Sequence, residues 1–439
     1  MMNHIAESAR SCLVDAIDTM TPTEFSKSPG VHFTRSRKLS FRQLLLFLVS
    51  SAKGSIPEEL RRFYASRSAM PGDAPSRSAF IQQRAKLSEQ AMPALLQRFN
   101  SKFQPRLFRG FQLLACDGSE LAFHSGWDWD ARVTGPGGYY AVHLVALYDL
   151  LSRKYTDAVI QPARLKNEHE AICQLAQRLD GAAKRILTAD RGFGSYNFYL
   201  HAGKAGVRYL VRITEKKAQG ILGEELFRRL DASPDITVTR RLVRHQRKSE
   251  YLHPEERDAC RFIGPSTQFD FLEPGKAGEV PVTIRIARVK IGEDSYEYLA
   301  TDLPPAEFSL LELKDLYRLR WGIETSFRDL KHTLGAEKFR SRHREFVIQE
   351  LWARMILYNF CMEIANQVSL RKRSCKYVYR INIAQALKVC HEFLCSCEEL
   401  RRGMDVPGWI LKAEASPVRD GRKWKRKPRH HGAQGFNYR

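Results

Sequence analysis

Three carboxylates in this 439-residue chain have neighbours that suggest metal chemistry. Asp117 and Asp190 each close an apolar run, in ACDGS and TADRGFGS, and ligands gather where the strands of an α/β sheet end. Glu324 lies further on, in the helix-like segment 315–332. Carboxylate oxygens are the ligands that Mg²⁺ prefers, and two such ions suit in-line phosphoryl transfer. The alternative interpretation of Asp117 is an ordinary Asp-Gly turn.

Segment 315–332 reads DLYRLRWGIETSFRDLKH and surrounds its one glutamate with cations. In a helix of about 100° per residue, four of its side chains fall within about 60° of one another: Tyr317, Arg320, Glu324 and Lys331. One helix face would then carry a carboxylate, two cations and a phenol. Cations can hold phosphate groups while the carboxylate holds metal, so the face predicts a phosphate-handling site. The alternative is a solvated stripe of charges.

The overall charge favours a polyanionic partner. Lysine and arginine exceed the acids by a formal net charge of +22, and nucleic acid is the usual partner of so basic a chain. An anionic membrane surface is the weaker alternative. No apolar run approaches the roughly 20 residues that span a bilayer, and the first residues lack a basic stretch followed by an apolar block. We therefore expect no membrane segment and no signal peptide.

Nine cysteines are scattered along the chain without a CxxC pair. This usage indicates reduced thiols and a cytoplasmic setting. The alternative use of some of them is a zinc site at His391, Cys395 and Cys397. The sequence disfavours such a site, because no fourth ligand with zinc spacing lies nearby.

The elements that must position these residues change in character along the chain. Residues 40–51 read as a helix capped by Ser40, and 75–88 as either the recognition helix of a helix-turn-helix or an ordinary amphipathic surface helix. Strand and helix patterns then alternate, as in an α/β domain with a mixed sheet. The predicted regions are a helical DNA-binding region (1–105), the first part of the core (106–215), a β-rich insertion (216–299), the second part of the core (300–370), a helical region (371–418) and a basic disordered tail (419–439).

The motifs together resemble those of one enzyme family. The pattern Y-x2-R-x3-E-x6-K at 317–331 is similar to the signature of bacterial insertion-sequence transposases of the DDE class. ACDGSE and ADRGF resemble that family's first and second aspartate motifs, and the similarity runs from about residue 30 to the basic tail. Glu324 follows Asp190 by 134 residues, which matches the members whose core carries a β-rich insertion.

The resemblance implies a fold and a metal site. The expected fold is α/β, with an RNase H-like catalytic core and mixed sheet, interrupted by an all-β insertion and preceded by a helical N-terminal domain. Asp117, Asp190 and Glu324 would be the catalytic residues and would bind two Mg²⁺ or Mn²⁺ ions.

The resemblance also implies partners and a reaction. The expected DNA-binding residues are Tyr317, Arg320, Lys331 and, beside the second aspartate, Arg191. The enzyme would cleave double-stranded DNA at transposon ends and join the freed 3′-OH to target DNA, as a homodimer on DNA in the nucleoid of a bacterial cytoplasm. In studied relatives the 3′-OH first makes a hairpin end, which needs an aromatic platform for a flipped base. Some relatives use a tryptophan of the β insertion for this platform, and segment 216–299 has none. We expect Tyr251 to serve, with Phe262, Phe269 and Phe271 as alternatives, and Trp321 to face the core.

Other classes fit parts of the pattern. An RNase H-like nuclease or junction resolvase needs the acids but not the joining step. A catalytically silent DNA-binding relative needs neither, although all three acids are present. A membrane-surface protein using the basic tail leaves the acids unexplained.

Overall fold

The computed structural model describes residues 4–35, 37–51, 54–66, 74–124, 128–134, 138–179, 181–245, 259–293, 295–368, 379–412 and 416–417, and of 379, 416 and 417 only the backbone. The predictions for the basic tail and for Tyr251 lie outside these residues.

Helices form the N-terminal region, cover the sheet and dominate after residue 309. They are His4–Asp18 (α1), Pro22–Phe25 (α2), Phe41–Ser50 (α3), Ile56–Ala65 (α4), Arg77–Arg84 (α5), Ala91–Asn100 (α6), Glu168–Arg178 (α7), Tyr196–Lys204 (α8), Glu215–Leu222 (α9), Glu224–Arg229 (α10), Leu310–Leu319 (α11), Trp321–Arg328 (α12), Arg344–Ala365 (α13), Ile383–Cys395 (α14), Glu398–Gly403 (α15) and Val406–Lys412 (α16). Ser40 caps α3 through a capping box with Gln43, as its sequence predicts.

The strands alternate with these helices. They are Gln112–Phe123 (β1), Arg132–Val133 (β2), Tyr139–Asp149 (β3), Lys154–Pro162 (β4), Arg185–Ala189 (β5), Arg208–Ile213 (β6), Asp235–Val243 (β7), Cys260–Phe262 (β8), Glu279–Lys290 (β9), Tyr296–Thr301 (β10), Tyr379–Arg380 (β11) and Ser416–Pro417 (β12).

Ten strands form one mixed sheet in the order β2-β3-β1-β5-β6-β10-β9-β7-β8, with β4 also paired to β3. Its centre has β4, β3 and β1 successively antiparallel, followed by β5 and β6 parallel to β1. That order and these directions define an RNase H-like core, so the predicted fold class is confirmed. The central strands are buried on both faces, which their long apolar runs require.

The strands of segment 216–299 continue the core sheet. Strand β10 pairs antiparallel with β6, β9 pairs with β10, and β7 and β8 extend the sheet further. The segment opens with the helices α9 and α10, and its strands follow them. The region boundaries given above stay predictions.

The long helix α13 is buried along most of its length between the N-terminal helices and one face of the sheet. Asn359 binds both backbone groups of Tyr155 on β4, at 2.8 and 2.7 Å, and the side chain of Asn100 at the end of α6. Tyr155 in turn shares a hydrogen bond of 2.9 Å with Ser326 on α12. These contacts fix α12, which carries Glu324, against the sheet.

Helix α5 begins after Ser76 as predicted, but its last turn belongs to the core. Arg84 is buried and donates to Gln349, to Glu350 and to the carbonyl of Phe346 on α13. At this end of α5 the structure fits neither interpretation, because the polar side chain of Arg84 is buried in the core and has no access to a DNA groove.

We expect Arg84→Ala to destabilise the fold by about 3–5 kcal/mol, because it leaves the carboxylate of Glu350 buried without this partner. Urea unfolding of the parent and the variant measures the loss. The matched control is Arg62→Ala, which breaks the exposed pair with Glu58 on α4 and should cost no more than about 0.5 kcal/mol. Equal losses in the two variants would contradict the structural role of the buried pair.

Candidate active site

Asp117 lies in the middle of a long strand. Strand β5 pairs with β1 only as far as Cys116 and Ala189, so Asp117 and Asp190 come directly after the last pair on adjacent strands. The strand end expected at Asp117 is wrong, because β1 continues to Phe123 with β3 as its partner. Strand β5 does end where expected, and both aspartates reach one edge of the sheet.

Asp190 begins a tight turn whose carbonyl accepts a hydrogen bond from the N–H of Phe193 at 3.0 Å. Its carboxylate accepts a second bond from the hydroxyl of Tyr317 on α11, at 3.2 Å. The first residue of the predicted helix face therefore contacts the second predicted acid.

Segment 315–332 is not one regular helix. Helix α11 ends at Leu319, the N–H of Arg320 bonds to the carbonyl of Tyr317 in a tight turn, and α12 begins at Trp321. A π-helical turn, Asp329–Thr333, follows α12. Within that turn Lys331 donates to the carbonyl of Glu120, at 2.8 Å, three residues beyond Asp117 on β1. The regular helix on which the shared face was predicted is thus wrong. The four residues of that face nevertheless all lie near β1 or Asp190.

The guanidinium of Arg320 lies between two of the predicted acids. Its Nη2 is 2.8 Å from the Oε1 of Glu324 and its Nη1 is 3.4 Å from the Oδ2 of Asp117. The residue is only 3% exposed. Its Nε is buried and has no hydrogen-bond partner among the described residues. One buried cation therefore pairs with two partly exposed carboxylates.

Burial raises the pKa of the Asp117 carboxyl to about 6. Arg320 and the N–H of Gly118 oppose this rise, whereas the charges of Glu324 and Asp190 add to it. The three carboxylates are therefore close enough to interact electrostatically. Burial also raises the pKa of Tyr317, which stays a neutral hydrogen-bond donor.

Two residues beside the site, Arg191 and Trp321, are exposed to solvent. Arg191 is exposed next to Asp190, where it can reach a ligand outside the protein. Trp321 is 51% exposed, so the core-facing position expected for it is wrong. The Arg320 guanidinium lies 5.6 Å from its ring.

Sequence reasoning missed two residues at the same edge, His143 and Glu168, which contact each other on the opposite face of the sheet. The sequence signals these two residues only indirectly. A glycine, Gly118 or Gly192, lies one or two residues after each aspartate and leaves room for another side chain to approach.

The donor set suits a hard divalent cation, because Asp117, Asp190 and Glu324 offer oxygen ligands. In the described ranges, however, no three His, Cys, Asp or Glu side chains form a group that could hold a metal ion. Arg320 contacts one carboxylate oxygen each of Asp117 and Glu324. The three residues fit a divalent metal by the chemistry of their oxygen donors.

The cysteines considered for zinc have other contacts. The ring of His391 and the thiol of Cys395 both approach the carbonyl of Ser50, at 2.7 and 3.1 Å.

Within the part of the chain that the structure describes, no helix combines the length and apolar character needed to cross a bilayer.

An RNase H-like sheet with carboxylates gathered at one edge defines a class of nucleic-acid-processing enzymes. Comparison with known families narrows the class: the family described as transposase DDE domain matches residues 109–360, which is more than half of the chain and includes all three acids. The chain belongs to this family, whose members generally use divalent metal ions.

Individual relatives agree with the family. The InsL protein of insertion sequence element IS186A from Escherichia coli strain K12 and the transposase for insertion sequence element IS421 from Escherichia coli are each 26% identical over 238 residues. The match covers 51% of this chain and 61% of each relative. The chain thus spans less than two thirds of the length of the curated relatives it matches. A cryo-electron microscopy structure of a piggyBac transposase synaptic complex with hairpin DNA has a TM-score of 0.44 and 12% identity, covering 95% of this chain and 84% of that one.

The raised pKa of Asp117 predicts a pH-dependent stability. In the unfolded chain this carboxyl loses its proton near pH 3.8, and in the folded chain near 6, so its ionisation costs stability as the pH rises between these values. We expect Asp117→Asn to gain about 1–3 kcal/mol relative to the parent between pH 4.5 and pH 7.5.

Urea unfolding in a chelator at both pH values measures this gain. Asp315→Asn, at an exposed aspartate on α11, controls for the loss of one negative charge. A gain that is the same at both pH values would contradict the burial of an ionised Asp117.

Proposed function

We propose that this chain is the transposase of an insertion sequence. It binds the terminal inverted repeats, cleaves DNA strands at the element's ends and joins the 3′-OH ends to target DNA. The observation that carries the proposal is the pairing of Asp117 and Glu324 with one arginine, near enough to Asp190 for its charge to act on Asp117, in a member of the DDE transposase family.

Asp117, Asp190 and Glu324 are the proposed catalytic residues and would together hold two Mg²⁺ or Mn²⁺ ions. Two such ions activate an attacking hydroxyl and stabilise the leaving oxygen of a phosphodiester. Arg320 pairs with Asp117 and Glu324 and would be available to a DNA phosphate where these acids bind metal instead. The Tyr317 hydroxyl orients Asp190 through its hydrogen bond.

The proposed DNA contacts surround these acids. Tyr317, Arg320 and Lys331 lie near the phosphates of the transposon end, and Arg191 extends from the turn after Asp190. The net charge of +22 supports a DNA partner, because cations supply most of the binding energy to a duplex. The helical N-terminal region and the basic tail add further contacts.

The active complex is proposed to be a homodimer on DNA, associated with the nucleoid of a bacterial cytoplasm. If hairpin ends form, Trp321 is a platform for a flipped base as well as Tyr251, because half of its surface is exposed beside Arg320 and Glu324. Stacking of one base on such a ring is worth about 1–3 kcal/mol.

We expect Asp117→Ala, Asp190→Ala and Glu324→Ala each to abolish nicking of a labelled transposon end in Mg²⁺ while retaining DNA binding. The carboxylates serve the metal ions, whereas cations bind the DNA. Denaturing gels measure nicking and mobility shift measures binding. Glu398→Ala, on the remote helix α15, is the control and should nick like the parent.

The same assay separates the proposed transposase from its alternatives. A parent that nicks ends but never joins them to target DNA is an RNase H-like nuclease. A parent that binds DNA equally well but is inert in every divalent metal is a silent relative. Near-normal nicking by any one alanine variant would remove that residue from the site.

We expect Arg191→Ala to lower affinity for terminal DNA and to flatten the log K against log salt plot by about 0.9 if it neutralises one phosphate of the duplex. A fluorescence salt titration measures the slope. Arg402→Ala, an exposed arginine paired with Glu398, provides the control. An unchanged slope in Arg191→Ala would mean that this side chain does not contact the DNA backbone.

A further inference from the structure

A hydrogen-bonded pair lies behind the two aspartates, on the other face of the sheet. His143 on β3 approaches Glu168, the first residue of α7, with 2.8 Å between its Nε2 and the Oε1 of the glutamate. His143 is 4% exposed, whereas the Glu168 side chain keeps 38% of its surface. Successive side chains of a strand point to opposite faces, so Gly118 faces this pair while Asp117 faces Arg320.

The Glu168 carboxylate rests on the backbone just after each aspartate. A Cβ atom at Gly118 would lie 2.5 Å from its Oε1 and 2.8 Å from the Nε2 of His143. A Cβ atom at Gly192 would lie 3.8 Å from its Oε2. Glycine at position 118 thus leaves the space that the pair occupies, and the second oxygen of the same carboxylate faces Gly192 in the turn after Asp190.

The position of Gly118 matters for Asp117 itself. The N–H of Gly118 donates to the Oδ1 of Asp117 at 2.9 Å. Any shift of the backbone at Gly118 therefore rotates the aspartate relative to Asp190 and Glu324. Gly192 lies inside the turn that the carbonyl of Asp190 closes with Phe193.

The pair is electrostatically fixed in one arrangement. The hydrogen bond from His143 lowers the pKa of Glu168, and Lys166 and His169 act in the same direction, so the carboxylate is charged. The Nδ1 of His143 is buried without a hydrogen-bond partner in the described part of the protein. A proton on Nδ1 would have no acceptor there, and we assign the proton to Nε2, which donates to Glu168.

We propose that Glu168, oriented by His143, is a positioning residue that sets the separation of Asp117 and Asp190 by packing on the backbone after each of them. The inference rests on the proposed function, since the spacing matters for the metal ions that the two aspartates would hold. Partners that orient metal ligands typically contribute about 10- to 100-fold in metal affinity or activity.

The test uses Glu168→Ala, which removes the carboxylate that lies against Gly118 and accepts from His143. The matched control is Glu170→Ala in the same first turn of α7, whose carboxylate binds Asn167 and Gln174 instead. Both variants lose one charge at the same helix terminus, so a general effect on α7 changes both equally. His143→Gln keeps a donor near the position of Nε2, and His143→Ala removes it.

Two quantities are measured on the full chain: Mn²⁺ affinity by electron paramagnetic resonance without DNA, and the Mg²⁺ concentration at half-maximal nicking. We expect Glu168→Ala and His143→Ala to weaken both by about 10- to 100-fold. Glu170→Ala should match the parent, and His143→Gln should retain most of the parent's affinity. Thermal unfolding in chelator identifies any variant that has lost its fold.

The outcomes distinguish this inference from the proposed function. Equal metal dependence in Glu168→Ala, Glu170→Ala and the parent overturns the positioning role. A parent that takes up Mn²⁺ through its aspartates but nicks no transposon end overturns the proposed function alone. A parent that takes up no Mn²⁺ overturns both.

Discussion

The charge balance around Arg320 is the interaction on which the site depends. Asp117 is buried enough to raise its carboxyl pKa, and two further carboxylates lie within reach of its charge. Without a cation these groups would repel one another and draw in water or protons. Arg320 supplies that cation from the turn between α11 and α12. The residue at the break in the helix is thus also the residue that pairs with the two acids.

The sheet holds the residues around Arg320 in place. Strand β1 extends beyond the end of β5 and stays paired with β3 along this extension. The extension contains Glu120, whose carbonyl accepts a hydrogen bond from Lys331. On the opposite face His143 and Glu168 press against the same stretch of backbone. The Arg320 guanidinium therefore contacts Asp117 on one face of the sheet, and the Glu168 carboxylate lies against the next residue, Gly118, on the other face. The long helix α13 and the pair Tyr155–Ser326 keep α12 in register with this strand.

Local sequence patterns predict much of this arrangement. Apolar runs mark β3 and β5, and the motif order identifies Asp117, Asp190 and Glu324 before any fold is known. Other features depend on contacts between distant residues. The break at Arg320 carries no proline signal, and the pairing of β10 with β6 cannot be inferred from either strand alone. Glu168 lies in a polar turn that looks like an ordinary helix start, and only the proximity of Gly118 shows its use.

The buried pair between Arg84 and Glu350 has a consequence for synthesis of the chain. Its partners are 266 residues apart, and α13 is the helix around which the N-terminal helices close. At about 5–20 residues per second, a ribosome needs on the order of 10–50 s to reach Glu350 after Arg84. During that interval the N-terminal helices lack their packing partner. Glu324 precedes Glu350 by only 26 residues, so the last of the three proposed acids is made in the same late stretch as the helix that completes the N-terminal packing.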